Sequence, residues 1–175
     1  MTTRVIDPTR HNVVHRGGTG RSRLRTGAAY AAAGWGVLFA LVHVYWLAGG
    51  RAGLPSGQSI FDSTALLVID VIAIPVSFAA AALALALTRP WGGRFRRRTL
   101  LTGAWAAAVL MVVHALPTMI DWVALAAGER TAGELTAEER FVTFLYEPWF
   151  LAGGILFALA AFAHRRATRL GTGPF

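Results

Sequence analysis

The sequence predicts an all-α integral membrane protein, a four-helix bundle with both termini on the cytoplasmic side of the cell membrane. Two observations carry that expectation. The first is four long apolar stretches, 28–47, 64–87, 100–120 and 141–163, each close to the roughly 20 residues a helix needs to cross the hydrocarbon core. The second is the placement of positive charge. All 17 basic residues are arginine. Arg4, Arg10, Arg16, Arg21, Arg23 and Arg25 precede the first stretch, Arg89, Arg94, Arg96, Arg97 and Arg98 follow the second, and Arg165, Arg166 and Arg169 follow the fourth. Only Arg51, Arg130 and Arg140 remain for the other two loops. That bias puts both tails and the second loop inside.

Composition agrees. Hydrophobic residues make up 55% and charged residues 15% of 175 positions, with a mean hydropathy of +0.50, too apolar for a soluble domain of this length. The net charge of +8 points to anionic lipid headgroups, because the arginines border the spans. Nucleic acid is not an expected partner. With no cysteine, thiol chemistry and disulfides are excluded. Arginine without lysine, together with abundant Ala and Gly, has the stamp of a GC-rich bacterial genome.

Along the chain, residues 1–26 are polar and lack an apolar period, which predicts a mobile basic cytoplasmic tail. The first span is too long for a signal-peptide core and ends in His43, Tyr45 and Trp46, so cleavage after it is not expected. The first loop holds Gly49, Gly50, Gly53, Pro55 and Gly57 and should turn. The second loop, 89–99, is short and basic. In the third, Thr136 and Glu139 stand at the spacing of a capping box, predicting a short surface helix. Spans 27–166 form the transmembrane domain and 167–175 a cytoplasmic tail. The stretch Tyr45-Trp46-Leu47-Ala48-Gly49-Gly50 faintly repeats as Pro148-Trp149-Phe150-Leu151-Ala152-Gly153-Gly154. Spans one and three each carry a histidine, and two and four an acid, near one end. The pattern suggests two hairpins with a site between them.

Ionisable groups at membrane depth are costly, at least roughly 2.5–3.5 kcal/mol each near the centre, and normally face the protein interior. Here His43, Asp70, His114 and Glu147 fall one to a span, all in the outer half, with Asp62 and Asp121 just beyond. His114, Thr118 and Asp121 lie at i, i+4 and i+7, one helix face. Ser63, Asp70 and Ser77 recur every seven residues on span two. Thr143, Glu147 and Gly154 share a side of span four, and Gly36, Phe39 and His43 a side of span one. Pro75 and Pro117 free backbone carbonyls nearby. The expected catalytic set is therefore Asp70, Glu147, His43, His114 and Asp121. The expected ligand contacts are Trp46, Tyr45, Phe39, Thr118, Trp149 and Gly154.

Such a set offers proton donors and acceptors to a hydrophobic, isoprenoid- or lipid-like molecule, and so isomerisation or cyclisation through alkene protonation. No cofactor is required. A metal or haem held by His43 and His114 is an alternative, although no local ligand motif accompanies them. Others are polar residues that merely join the helices, or an accessory subunit whose partner is a homo-oligomer or another membrane protein.

The run Gly34-Trp35 to His43-Val44-Tyr45-Trp46, then Gly49-Gly50-Arg51, with Glu147-Pro148-Trp149 and Gly153-Gly154 opening span four, resembles a family of small four-span bacterial membrane proteins of unknown function. The likeness covers about residues 28–166 and implies the four-helix architecture without an activity. In plan alone the bundle is similar to lipid isomerases of the emopamil-binding type and to membrane terpene cyclases, but neither family's motifs are present.

Overall fold

The protein, seen in a computed structural model, is described over residues 16–54 and 57–169; the side chains of 16–22, 24, 25 and 118 also lie outside the described residues. The expected tails at 1–15 and 170–175 fall outside them too. Among the described residues the fold is helical throughout: α1 (Arg16–Leu47), α2 (Thr64–Ala86), α3 (Arg97–Ala126), the short α4 (Ala137–Phe141) and α5 (Glu147–Arg169). Four segments are long and apolar enough to cross a membrane. The helices outrun the apolar stretches. α1 starts at Arg16, within the expected tail, and α5 ends at Arg169. Arginine is a good helix former, so nothing halts the helix where hydrocarbon ends.

Packing inverts the soluble pattern. Leu110 and Ile120 are 69% and 73% exposed, whereas Ala32, Ala84, Ala104 and Ala160 are fully buried. Water does not press membrane helices together, so small residues that let backbones approach closely make the contacts. On α2 the buried residues Asp70, Ser77, Ala81 and Ala84 form one stripe, which meets α1 at Gly36. On α5, Gly153 lies against Trp35 and Met111, and Gly154 against Val112 and the Ala108 carbonyl. The chain thus forms two close hairpins, α1 with α2 and α3 with α5. They join along a seam between α1 and α5, while α2 and α3 touch more sparsely.

Helix ends follow local chemistry. After α1, Gly49 (φ 93°) lets its N–H reach the Trp46 carbonyl and the Gly50 N–H reach that of Tyr45, a Schellman stop. The second copy of the repeat behaves differently, since Gly153 and Gly154 lie inside α5 and pack against neighbours. At the third loop Thr136 caps α4 and Glu139 returns the bond to the Thr136 N–H at 2.7 Å, as the spacing predicts. α2 and α3 run through Pro75 and Pro117.

Pro148 has the larger effect. Residues Val142–Tyr146 form a π turn between α4 and α5, with the Glu147 N–H bonded to the Val142 carbonyl. A proline N carries no hydrogen and cannot serve the carbonyl four residues back, so the hydrogen-bond register slips by one residue. The Thr143 carbonyl then has neither Glu147, already committed, nor Pro148 as donor. The indole Nε1 of Trp122 fills the gap at 2.9 Å.

The α1–α2 approach is testable. A Cβ on Gly36 would lie 2.9 Å from the Ser77 carbonyl oxygen and 3.2 Å from the Ala81 Cβ, whereas one on Gly34 meets nothing within 4 Å. Gly36→Val is expected to cost about 1–3 kcal/mol, as overpacking does, and Gly34→Ala to cost nothing. Thermal unfolding of both variants in detergent reads the difference.

Candidate functional site

The end of the bundle that carries Asp121, Glu129, Glu134, Glu138 and Glu139 holds the polar residues picked out in the spans. His43 is 2% exposed, Asp70 2% and Glu147 6%. His43 Nδ1 donates to the Phe39 carbonyl at 2.9 Å. A carbonyl only accepts, so Nδ1 carries the hydrogen and Nε2 is the basic nitrogen of the neutral ring. The Asp70 carboxyl, facing α1 from α2, interacts electrostatically with His43. Tyr146 on the π turn feels the charges of both Glu147 and Asp70. Asp70, His43, Tyr146 and Glu147 thus form one neighbourhood at the α1–α5 seam.

Two atoms there lack what burial normally supplies. Asp70 Oδ2 and Trp149 Nε1 are buried, and neither has a hydrogen-bond partner among the described residues. An unmade hydrogen bond on a buried group costs about 1–3 kcal/mol, so each is an unused acceptor or donor in otherwise apolar surroundings.

Beside them lies a cavity of about 270 Å³ between α1 and α5, lined on the α1 side by Phe39, Val42 and Trp46 and on the α5 side by Phe141, Tyr146 and Trp149. His43 stands behind this wall, its ring 4.3 Å from Phe39 and 5.1 Å from Trp46. The wall is braced. Trp35 donates from Nε1 to the Trp149 carbonyl at 2.9 Å and stacks on Phe39 and Trp149, with centroids 5.2 and 5.8 Å apart. Trp46 Nε1 donates to the Ala52 carbonyl at 2.9 Å, fixing the loop that roofs the cavity.

The other expected residues are placed elsewhere. His114 is exposed on α3, in ring contact with Phe150 at 4.2 Å. The Phe39 and Phe150 rings, 5.2 Å apart, connect it to His43, and no direct contact links the two imidazoles among the described residues. Nor does any group of three or more His, Asp or Glu side chains among them have the arrangement of a metal site. Asp121 is half-buried near the end of α3, paired with Arg130 at 3.0 Å; Arg130 also bonds Glu139 at 3.1 Å. Those carboxylates, Glu139 foremost, hold the guanidinium still more firmly protonated. Asp121 therefore ties α3 to the start of α4 rather than entering the buried cluster. Tyr45 braces its own loop, its hydroxyl accepting from the Ala52 N–H at 3.2 Å, and Gly154 is a packing contact. Phe39, Trp46 and Trp149 line the cavity; the Thr118 side chain is outside the described residues.

Val42, Tyr146 and the brace Trp35 were not among the sequence candidates. Val42 and Tyr146 differ little from ordinary lipid-facing residues in one sequence. Trp35 entered the sequence reading only in the run that carries the family resemblance.

The chain belongs to the family described as Protein of unknown function (DUF3995), whose model matches residues 36–157. That segment contains all of His43, Asp70, His114, Asp121 and Glu147, and it bears out the resemblance read in the sequence. No curated protein and no solved structure matches the chain.

If Asp70 serves a ligand rather than the fold, its loss should not harm stability. A buried polar atom without a partner carries a desolvation cost of about 1–3 kcal/mol, which an apolar residue of similar size does not. Asp70→Leu is expected to keep or raise the unfolding temperature. A clear drop would make the carboxyl a structural element.

Proposed function

We propose that this DUF3995 protein binds a small hydrophobic molecule, isoprenoid- or lipid-like, in the half of the bilayer that the arginine bias makes the outer one, and moves protons on it. The observation that carries this reading is the Asp70 carboxyl beside His43, whose buried Oδ2 has no hydrogen-bond partner among the described residues, behind an apolar cavity that Trp149 helps to line. A volume of about 270 Å³ sits just under the roughly 300–1,000 Å³ typical of ligand sites. It suits a compact molecule, or one segment of a longer chain.

The chemistry closes on itself. Where a ligand alkene passes between the Phe39 and Trp46 rings to reach the pair behind them, Asp70 in its acid form adds its proton to one carbon, leaving a cation on the neighbouring carbon. His43 Nε2 removes a proton from the next carbon along, and the double bond re-forms one position away. The proton returns from imidazolium to carboxylate within the pair, so no co-reactant is consumed. General acid–base catalysis of this kind typically contributes 10²–10⁴-fold. The acidic residues at this end, clasped by Arg130, would lie outside the cell, and both termini in the cytoplasm.

A second reading rests on His114. An imidazole exposed at this depth favours contact with a partner chain, either a second copy or another membrane protein. Recovery only as a lone monomer from mild detergent would remove it.

Native mass spectrometry of protein purified in mild detergent tests the binding. The expected result is a retained lipid-like mass that Val42→Trp, which fills the cavity, abolishes. A bare wild-type protein, or an adduct indifferent to Val42→Trp, would overturn it. Proton transfer has a separate readout. Incubation in D2O should raise the mass of the retained molecule by whole deuterium steps, whereas Asp70→Asn should hold the molecule without labelling it.

A further inference from the structure

We propose that a second groove between α1 and α5, at the arginine-rich end, is a binding site for an anionic phospholipid. It is separate from the cavity above and does not depend on the reading given for it. The groove measures about 440 Å³ and is lined by Arg23, Gly27, Ala28 and Ala31 from α1 and by Leu156 and Leu159 from α5. Arg23, Gly27 and Ala31 recur at i, i+4 and i+8, one face of the helix. From Ala31 to Arg23 is eight residues, about 12 Å at the rise of an α-helix. That is a furrow with apolar walls and a cation at one end.

The furrow exists because α1 presents a hydrogen and methyls where α5 presents leucines. A Cβ on Gly27 would meet nothing within 4 Å. The antiparallel α5 forms the other wall with Leu156 and Leu159 and continues beyond the groove to Arg166, seven residues past Leu159 and so on the same face. The Arg166 guanidinium lies 4.3 Å over the Phe162 ring, holding a second cation at the level where α1 reaches Arg23.

Charge decides the occupant. At this end the charged side chains among the described residues are all arginine, with no Asp or Glu. Others are engaged within the fold: Arg89 lies over the Tyr30 ring at 5.3 Å, and Arg97 donates to the Arg165 carbonyl at 3.5 Å. Arg23 has no ion-pair or hydrogen-bond partner among the described residues. An acyl chain matches the Gly27–Ala31–Leu159 walls, and a phosphate-bearing headgroup matches Arg23 and Arg166. A zwitterionic headgroup cancels its own charge and gains less from two arginines.

Native mass spectrometry of the full chain with added dioleoylphosphatidylglycerol, and separately with dioleoylphosphatidylcholine, tests the site. Phosphatidylglycerol should be retained several-fold more than phosphatidylcholine. Gly27→Leu, which fills the furrow and keeps every arginine, should abolish that preference, and the double variant Arg23→Gln/Arg166→Gln should reduce it several-fold. Val42→Trp at the other cavity should leave it unchanged. Equal retention of the two lipids would overturn the proposal. So would full retention by Gly27→Leu, because the lipid would then be held by arginines outside the furrow.

Discussion

In hydrocarbon a backbone carbonyl without a helical partner has no water to turn to, and it must find a donor in the protein. This chain meets that constraint in a recurrent way, by lending ring N–H groups to main-chain oxygens. His43 and Trp35 add a second donor to the helical carbonyls of Phe39 and Trp149, while Trp46 serves Ala52 in the first loop, Trp122 serves Thr143 in the π turn, and His164 serves Leu87 at 2.7 Å. The last closes the end of α2, where Leu87 is the terminal cap, and explains why a histidine beside two arginines is buried to 1% exposure. Pro148 creates the largest demand of this kind, and Trp122 meets it from the far end of α3. Aromatic side chains that composition alone would assign to an interfacial belt are here the donors that let the helices end, bend and cross.

Against that economy the exceptions stand out. A fold that supplies a donor for the carbonyl orphaned by Pro148 leaves Asp70 Oδ2 and Trp149 Nε1 without partners among the described residues. Trp149 stands where aromatic rings join α1 to α5, and Asp70 faces α1 from α2. A carboxyl is a poor choice for joining helices when serine or threonine would serve at lower desolvation cost, and Ser77, seven residues along the same stripe, shows that α2 uses such a residue.

Much of this was legible in the sequence because it depends on single local rules. Apolar length marked the four spans, Thr136 with Glu139 marked a cap, and the ionisable residues within the spans pointed to His43, Asp70 and Glu147, which are buried. What escaped depends on phase or on distant partners. The π turn shifts the register of α5 ahead of Glu147, so a face read at 3.6 residues per turn does not carry across Pro148. Tyr146 falls on the cavity partly for that reason. Asp121 shares a helical face with His114, yet a partner nine residues on, Arg130, claims it; a face count cannot see a loop fold back. Tyr45 and Gly50 read as a motif near a site. Their contact is a steric one, since a Cβ on Gly50 would strike the Tyr45 ring, and the motif's role is to end a helix.

Both cavities lie on the seam between the hairpins, and there is a packing reason. Inside each hairpin the contacts are glycine and alanine against backbone, Gly36 on Ser77 and Ala81, Gly154 on Ala108 and Val112. Along the α1–α5 seam the partners are mismatched in size: indoles and phenyl rings against one another toward the acidic end, and Gly27 and Ala31 against leucines toward the basic end. Rings and leucines cannot tile as closely as methyls do, and both grooves described above open along this seam. A molecule that enters either gap completes the contact between two preformed units. Binding at the seam would therefore stabilise the joining of the hairpins more than the hairpins themselves, which ties occupancy of the site to the integrity of the bundle.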